Sequence, residues 1–206
     1  MPDTCGRASI PSAQGSAFDC PLSAPLVLDL DGTLIAGDML RTSFFSATRK
    51  RWLVALLCVK WLARGRAVLK RELAVRCQIN QQQLKMHEDV VALALREKAA
   101  GRSVVLATAA DALLAEQLAM QLNFIDRVIA SDGERNLKGR AKAQILAKLF
   151  PGGFIYAGDS KADLLVWKEA SAIVLVNARK SVAKQARALA KTTLELSGRA
   201  GPWRAA

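Results

Sequence analysis

Asp29 and Asp31 follow a short apolar run, Leu26-Val27-Leu28, and lead directly into Gly32 and Thr33. Two carboxylates two residues apart on an extended chain lie on the same side, and each can do a different job. Asp29 can attack a phosphorus atom, because a carboxylate is a competent nucleophile that gives an acyl-phosphate. Asp31 can protonate a leaving alkoxide and afterwards deprotonate a water. Gly32 permits close backbone approach, and the amides of such a turn can hold phosphoryl oxygens. Thr108 ends a second apolar run, Val104-Val105-Leu106-Ala107, and Asp159 follows another, Phe154-Ile155-Tyr156-Ala157. Thr108 offers a hydroxyl donor, and a lysine would neutralise the equatorial oxygens that gain charge during phosphoryl transfer.

Crowded carboxylates raise one another's pKa and are costly without a partner. A divalent cation with oxygen ligands offsets them, and Mg²⁺ accepts few carboxylates while leaving room for a phosphate. Taken alone, Asp-x-Asp-Gly is more often a turn or part of a calcium loop. The calcium loop fails here, because its twelfth position needs Glu and holds Leu40. No G-x-x-x-x-G-K-[ST], G-x-G-x-x-G or G-x-S-x-G occurs, so P-loop, dinucleotide and serine-hydrolase chemistry lack support.

These residues need elements to position them. The apolar runs, with Val128-Ile129-Ala130 and Ile173-Val174-Leu175-Val176, do not alternate with polar residues, which marks strands covered on both faces of a parallel sheet. Helical spacing over Asp111 to Leu122 and Arg140 to Phe150 separates them, so an open α/β fold is expected. In a parallel sheet Asp29, Asp31, Thr108 and Asp159 gather at one edge. The long interval between the first two strands reads as helix over Asp38 to Ala63, Ala67 to Cys77 and Gln82 to Ala99. A crossover needs far less chain, so a helical insertion is expected there.

At these positions the chain resembles the haloacid dehalogenase-like (HAD) phosphohydrolases. Asp29-Leu30-Asp31-Gly32-Thr33-Leu34 is similar to their first motif, the strand ending in Thr108 to their second, and Gly158-Asp159-Ser160-Lys161-Ala162-Asp163 to their fourth. The resemblance implies a Mg²⁺ site held by Asp29, Asp159 and the backbone carbonyl of Asp31, with Asp163 supporting the metal shell or orienting the lysine. It places Thr108 on the phosphate and Gly32, Thr33 and Ala109 around the substrate. Lys138 and Lys142 both qualify as the third-motif lysine, and the amphipathic run after Lys142 favours Lys142. The fold implied is a Rossmann-like α/β core over residues 25–36 and 101–195, with a helical cap over 37–100. Residues 1–24 read as a flexible leader and 196–206 as a basic tail. Asn136-Leu137-Lys138-Gly139 and Asp163-Leu164-Leu165-Val166-Trp167 further resemble the HAD module often fused ahead of UbiA-type prenyltransferases. That resemblance implies a lipid-linked or prenyl-associated phosphate as a substrate and a UbiA-type membrane partner. Alternatives are a phosphotransferase of the same fold, and a non-catalytic module docking on a membrane enzyme or an anionic lipid surface.

Composition limits the remaining classes. Four cysteines without C-x-x-C spacing make a disulfide scaffold or structural zinc improbable and suit a reducing compartment such as the cytoplasm. The formal net charge is +12, concentrated in residues 41–76, where ten Lys or Arg face Glu72 alone. Such a surface suits phosphorylated ligands or anionic membrane. Nucleic acid is not the expected partner, since no aromatic-interleaved basic motif accompanies the charge. The longest uncharged apolar run, Trp52 to Val59, is far short of the roughly 20 residues a bilayer span needs. Basic ends around this run fit either a packed cap helix or an interfacial helix in peripheral membrane contact. His87, the one histidine, reads as a surface or satisfied helix residue, and Trp167 as core.

Overall fold

The computed structural model describes residues 16–38, 53–76, 84–132 and 134–202. Six strands form one parallel sheet: β1 (Leu26–Leu28), β3 (Val104–Asp111), β4 (Arg127–Ser131), β5 (Ile155–Gly158), β6 (Ala172–Val176) and β7 (Thr192–Leu196). Their order is β4-β3-β1-β5-β6-β7. β1 is thus flanked by β3 and β5, in register Leu28 to Leu106 and Leu28 to Ala157. The expected α/β architecture is present.

Alternation along the strands divides the core in two, because successive side chains point to opposite faces. Leu26, Leu28, Val104, Leu106, Ile155, Ala157, Val174 and Val176 pack on one face, under helices α3 (Glu88–Ala99) and α4 (Ala112–Ala119). Val27, Val105, Tyr156, Ile173 and Leu175 pack on the other. There they meet α5 (Arg140–Leu149), α6 (Leu164–Glu169) and α7 (Lys180–Arg187). Both faces are covered, which is why the central strands read as unbroken apolar runs.

Between β1 and β3 the described chain forms α1 (Leu53–Ala63) and α2 (Arg66–Arg76), followed by a short strand β2 (Lys85–His87) and then α3. The front part of the helical stretch expected from Asp38 lies outside the described residues. The stretch expected from Gln82 differs from the structure. Lys85–His87 pairs antiparallel with β8 (Ala200–Pro202), and Met86 bridges Ile35. Helix α3 buries Val90, Val91, Leu93 and Ala94 in the sheet's own core, so this part of residues 37–100 belongs to the α/β layer rather than to a cap. Among the described residues, α1 and α2 share a small cluster of Cys58, Trp61 and Leu73, and α2 also reaches the main core through Ala74.

Both chain ends also differ from expectation within the described residues. Residues 16–24 are held to the core: Phe18 and Ala24 are buried, and the Arg102 guanidinium donates to the carbonyls of Cys20, Pro21 and Ala24. In the segment expected as a tail, Leu196 ends β7 and residues 200–202 form β8. His87 is buried in β2, with its Nδ1 donating to the Thr33 carbonyl at 2.7 Å. Trp167 is fully buried and donates from Nε1 to the Tyr156 carbonyl, as a core residue.

Candidate active site

Adjacent strands β3, β1 and β5 run in one direction, so the residues after them share the carboxyl edge of the sheet. Asp29 leaves β1 there, with its backbone N–H bonded to the Ala157 carbonyl. It is 9% exposed. One carboxylate oxygen, Oδ1, accepts from Lys142 Nζ at 2.6 Å. Lys142 reaches it from α5 and is itself buried, whereas Lys138 lies in the loop just before that helix and lines a neighbouring cavity. The lysine on Asp29 is Lys142.

Oxygens of Asp29, Asp159 and Asp163 lie within 4.8 Å of one another. Burial pushes the Asp29 carboxyl up, the Lys142 ammonium pulls it back, and Asp163 adds to the rise. For Asp159, burial followed by the charges of Asp163 and Asp29 pushes the carboxyl up to about 7, and the Lys142 charge opposes only a small part of that rise. Converging hard oxygen donors with an uncompensated charge fit a small divalent cation such as Mg²⁺. Gly32 packs against Asp159: its φ is +78°, which favours glycine, and a Cβ there would stand 2.5 Å from Asp159 Oδ2 and push that carboxylate aside.

Asp163 is differently committed. Its Oδ2 accepts from the Ser160 hydroxyl at 2.7 Å and from the backbone N–H groups of Ser160 and Asp159 at 3.0 and 3.3 Å. Its Oδ1 accepts from the Tyr156 hydroxyl at 2.9 Å, and that hydroxyl accepts from Lys142 Nζ at 2.9 Å. A chain of hydrogen bonds therefore runs from the loop after β5 to Asp29.

Asp31 lies outside the carboxylate cluster, and its side chain lines a cavity of about 180 Å³ beside Asp38, Arg66, Lys70, Ala109 and Lys138. Lys70 crosses from α2 to donate to Asn136 Oδ1 at 2.8 Å and to the Ala109 carbonyl. Burial lowers the Lys70 pKa, and the charge of Asp31 opposes that fall. Arg71 on the same helix pairs with Asp111 at 3.2 Å, a second contact between α2 and the end of β3.

The remaining expected residues divide. Thr108, expected to end its strand, is fully buried within β3, which runs on to Asp111, and its oxygen accepts the Ala110 N–H at 2.9 Å. Ala109 lines the cavity. Gly32 and Thr33 do not line it: the Gly32 N–H donates to the carbonyls of Ile35 and Gly37, so that amide is already used. The Thr33 hydroxyl is buried with no partner among the described residues. Tyr156, Ser160, Lys70 and Asn136 join the site without having been foreseen. Only the buried tyrosine hydroxyl inside an apolar strand carried a signal, since such a group needs partners.

Residues 26–167 match the family described as "HAD: haloacid dehalogenase-like hydrolase". The uncharacterized protein y4nM of Sinorhizobium fredii (strain NBRC 101917 / NGR234) is 42% identical over 152 residues, which are 74% of this chain and 30% of that protein. The chain thus spans less than a third of that relative's length. Among solved structures, a protein of unknown function from Bordetella pertussis Tohama I superposes with a TM-score of 0.59 at 14% identity, covering 84% of this chain and 98% of that one. A probable phosphoserine phosphatase from Vibrio cholerae gives 0.58 at 13% identity, covering 88% and 63%. At such identities these two likenesses concern the fold alone.

Proposed function

Because this chain belongs to the haloacid dehalogenase-like hydrolases, we propose that it is a Mg²⁺-dependent phosphomonoester hydrolase that works through an aspartyl-phosphate on Asp29. The supporting observation is Asp29 itself: one oxygen bonded to Lys142 at 2.6 Å, and the carboxylate within a 4.8 Å cluster with Asp159 and Asp163. The other oxygen of Asp29 attacks phosphorus, and the bond from phosphorus to the ester oxygen breaks. Asp31, lining the adjoining cavity, gives that oxygen its proton and later takes one from the attacking water. Lys142 opposes the rise that burial imposes on the Asp29 carboxyl and faces the charge that develops on the phosphoryl oxygens. Thr108 and Ala109, in the second half of β3, bound the phosphoryl position. Asp29, Asp159 and the Asp31 carbonyl would hold Mg²⁺, which when bound neutralises phosphoryl charge.

The cavity beyond Asp31 is smaller than the roughly 300 Å³ and upward typical of sites for larger ligands, and it has Arg66, Lys70 and Lys138 in its wall. That favours a compact polar leaving group, such as a sugar or amino-acid phosphate, over a prenyl chain. None of the relatives named above bears on a UbiA-type partner. The mechanism is tested with an aryl phosphate: Asp29→Asn should lower kcat by roughly a thousandfold or more, and chelation of divalent ions should abolish turnover until Mg²⁺ is returned. Turnover by Asp29→Asn at the wild-type rate would end the reading.

A second reading concerns location. No described helix is long and apolar enough to cross a membrane. On α1, however, Val59 is 71% and Leu62 52% exposed, beside Lys60 and Arg64. An apolar helix face with basic neighbours suits the surface of an anionic bilayer. Co-sedimentation with phosphatidylserine vesicles at low salt should carry the protein down and fail at high salt. A protein that stays in the supernatant under both conditions refutes peripheral attachment.

A further inference from the structure

We infer that Tyr156 is a positioning residue that couples the loop carrying Asp159 to the lysine held on Asp29. The inference rests on the hydrolase reading above and adds a residue that reading does not use. Tyr156 lies inside β5, where its neighbours on the same face of the sheet, Val27, Val105, Ile173 and Leu175, are all apolar. A hydroxyl buried among such groups is costly unless its bonds are made. Here both are made, and both go to charged groups of the site: the oxygen accepts from Lys142 Nζ and the hydrogen goes to Asp163 Oδ1, each at 2.9 Å.

The consequence follows from what each partner also holds. Lys142 has three N–H bonds, one on Asp29 Oδ1 and one on Tyr156, so the tyrosine fixes the rotation of the ammonium and aims the third. Asp163 holds the backbone of Asp159 and Ser160 through its other oxygen. A shift of the loop is therefore passed to Asp163, then Tyr156, then Lys142 and Asp29. Tyr156 is fully buried and does not line the cavity, so it has no access to substrate. Its influence falls on the alignment of the nucleophile.

Tyr156→Phe keeps the ring in the core and removes only the hydroxyl. With an aryl phosphate and saturating Mg²⁺, kcat should fall about 10- to 100-fold, the size seen when outer-shell partners are lost. KM should stay within about threefold of wild type. A kcat within twofold of wild type overturns the inference. Tyr156 is also the only tyrosine in the chain, so 3-fluorotyrosine incorporation gives a single ¹⁹F resonance from this ring. Adding beryllofluoride with Mg²⁺, which caps an aspartate as a phosphoaspartate mimic, should shift that resonance. This measurement uses the wild-type sequence and stands if the phenylalanine variant does not fold; a resonance that does not move overturns the coupling. The two readings separate cleanly. Wild-type protein without Mg²⁺-dependent phosphatase activity refutes the hydrolase, whereas an active wild type with an equally active Tyr156→Phe refutes only the role of Tyr156.

Discussion

Gly32 is constrained twice, by a backbone angle that side chains rarely adopt and by the Asp159 carboxylate against it. Gly32→Ala would push Asp159 away from Asp29, and the Mg²⁺ concentration for half-maximal activity should rise roughly tenfold. A Mg²⁺ titration checks this, and an unchanged midpoint would show that Asp159 tolerates the methyl group. At this scale the candidate residues stood out in the chain, because Asp29, Thr108 and Asp159 each follow an apolar run where a polar residue has no packing reason to stand. Lys70 was hidden in a basic stretch that reads as solvated surface. Tyr156 was hidden among strand residues that read as core. Lys142 and Lys138 share a helical turn's spacing, and the contact with Asp29 is what separates them.

Asp126 joins two elements to a third. Placed just before β4, it accepts from Lys98 at the end of α3 and from the Val104 N–H at the start of β3. Burial pushes its carboxyl up, but the bonds from Lys98, Val104 and Ser103 outweigh this and hold it below the usual carboxylate range. A depressed carboxylate stabilises the fold above its unfolded pKa of about 4 and loses that effect as pH falls through the folded value. Asp126→Asn should therefore melt below wild type at pH 7, and the two melting curves should converge near pH 2. A gap that persists at low pH would place the effect in packing. Elements buried on both faces were legible because apolar residues fill nearly all of their positions. The edge strand β7, Thr-Thr-Leu-Glu-Leu, was not, since one side faces solvent and Glu195 pairs with Arg187 there. β2 and β8 span three residues each, too few for any period to appear.

Across the molecule, a fully buried ion pair ties the segment before β1 to the core. Arg102 Nε meets Glu97 Oε2 at 2.7 Å, and Glu97 also accepts from the Ser16 hydroxyl and the Ala17 N–H. Glu97→Ala strands the guanidinium in the interior, which costs about 3–5 kcal/mol. For a chain of this size the melting temperature should drop by roughly 10 °C or more, measured by circular dichroism; an unchanged transition would mean that solvent reaches Arg102. The parallel sheet and the insertion after β1 were legible from alternating strands and helices. The limits of the insertion were not, because α3 has the same composition whether it caps a site or covers a sheet, and only its contacts decide. The pairing of β2 with β8 has a mechanical result. The return stem of the helical insertion is stitched to the last described strand, and Met86 in that stem also bridges Ile35 beside the departing stem. The two legs of the insertion thus share one clasp, so tension applied past Pro202 loads the pairing of β8 with β2 before it reaches the six-stranded sheet.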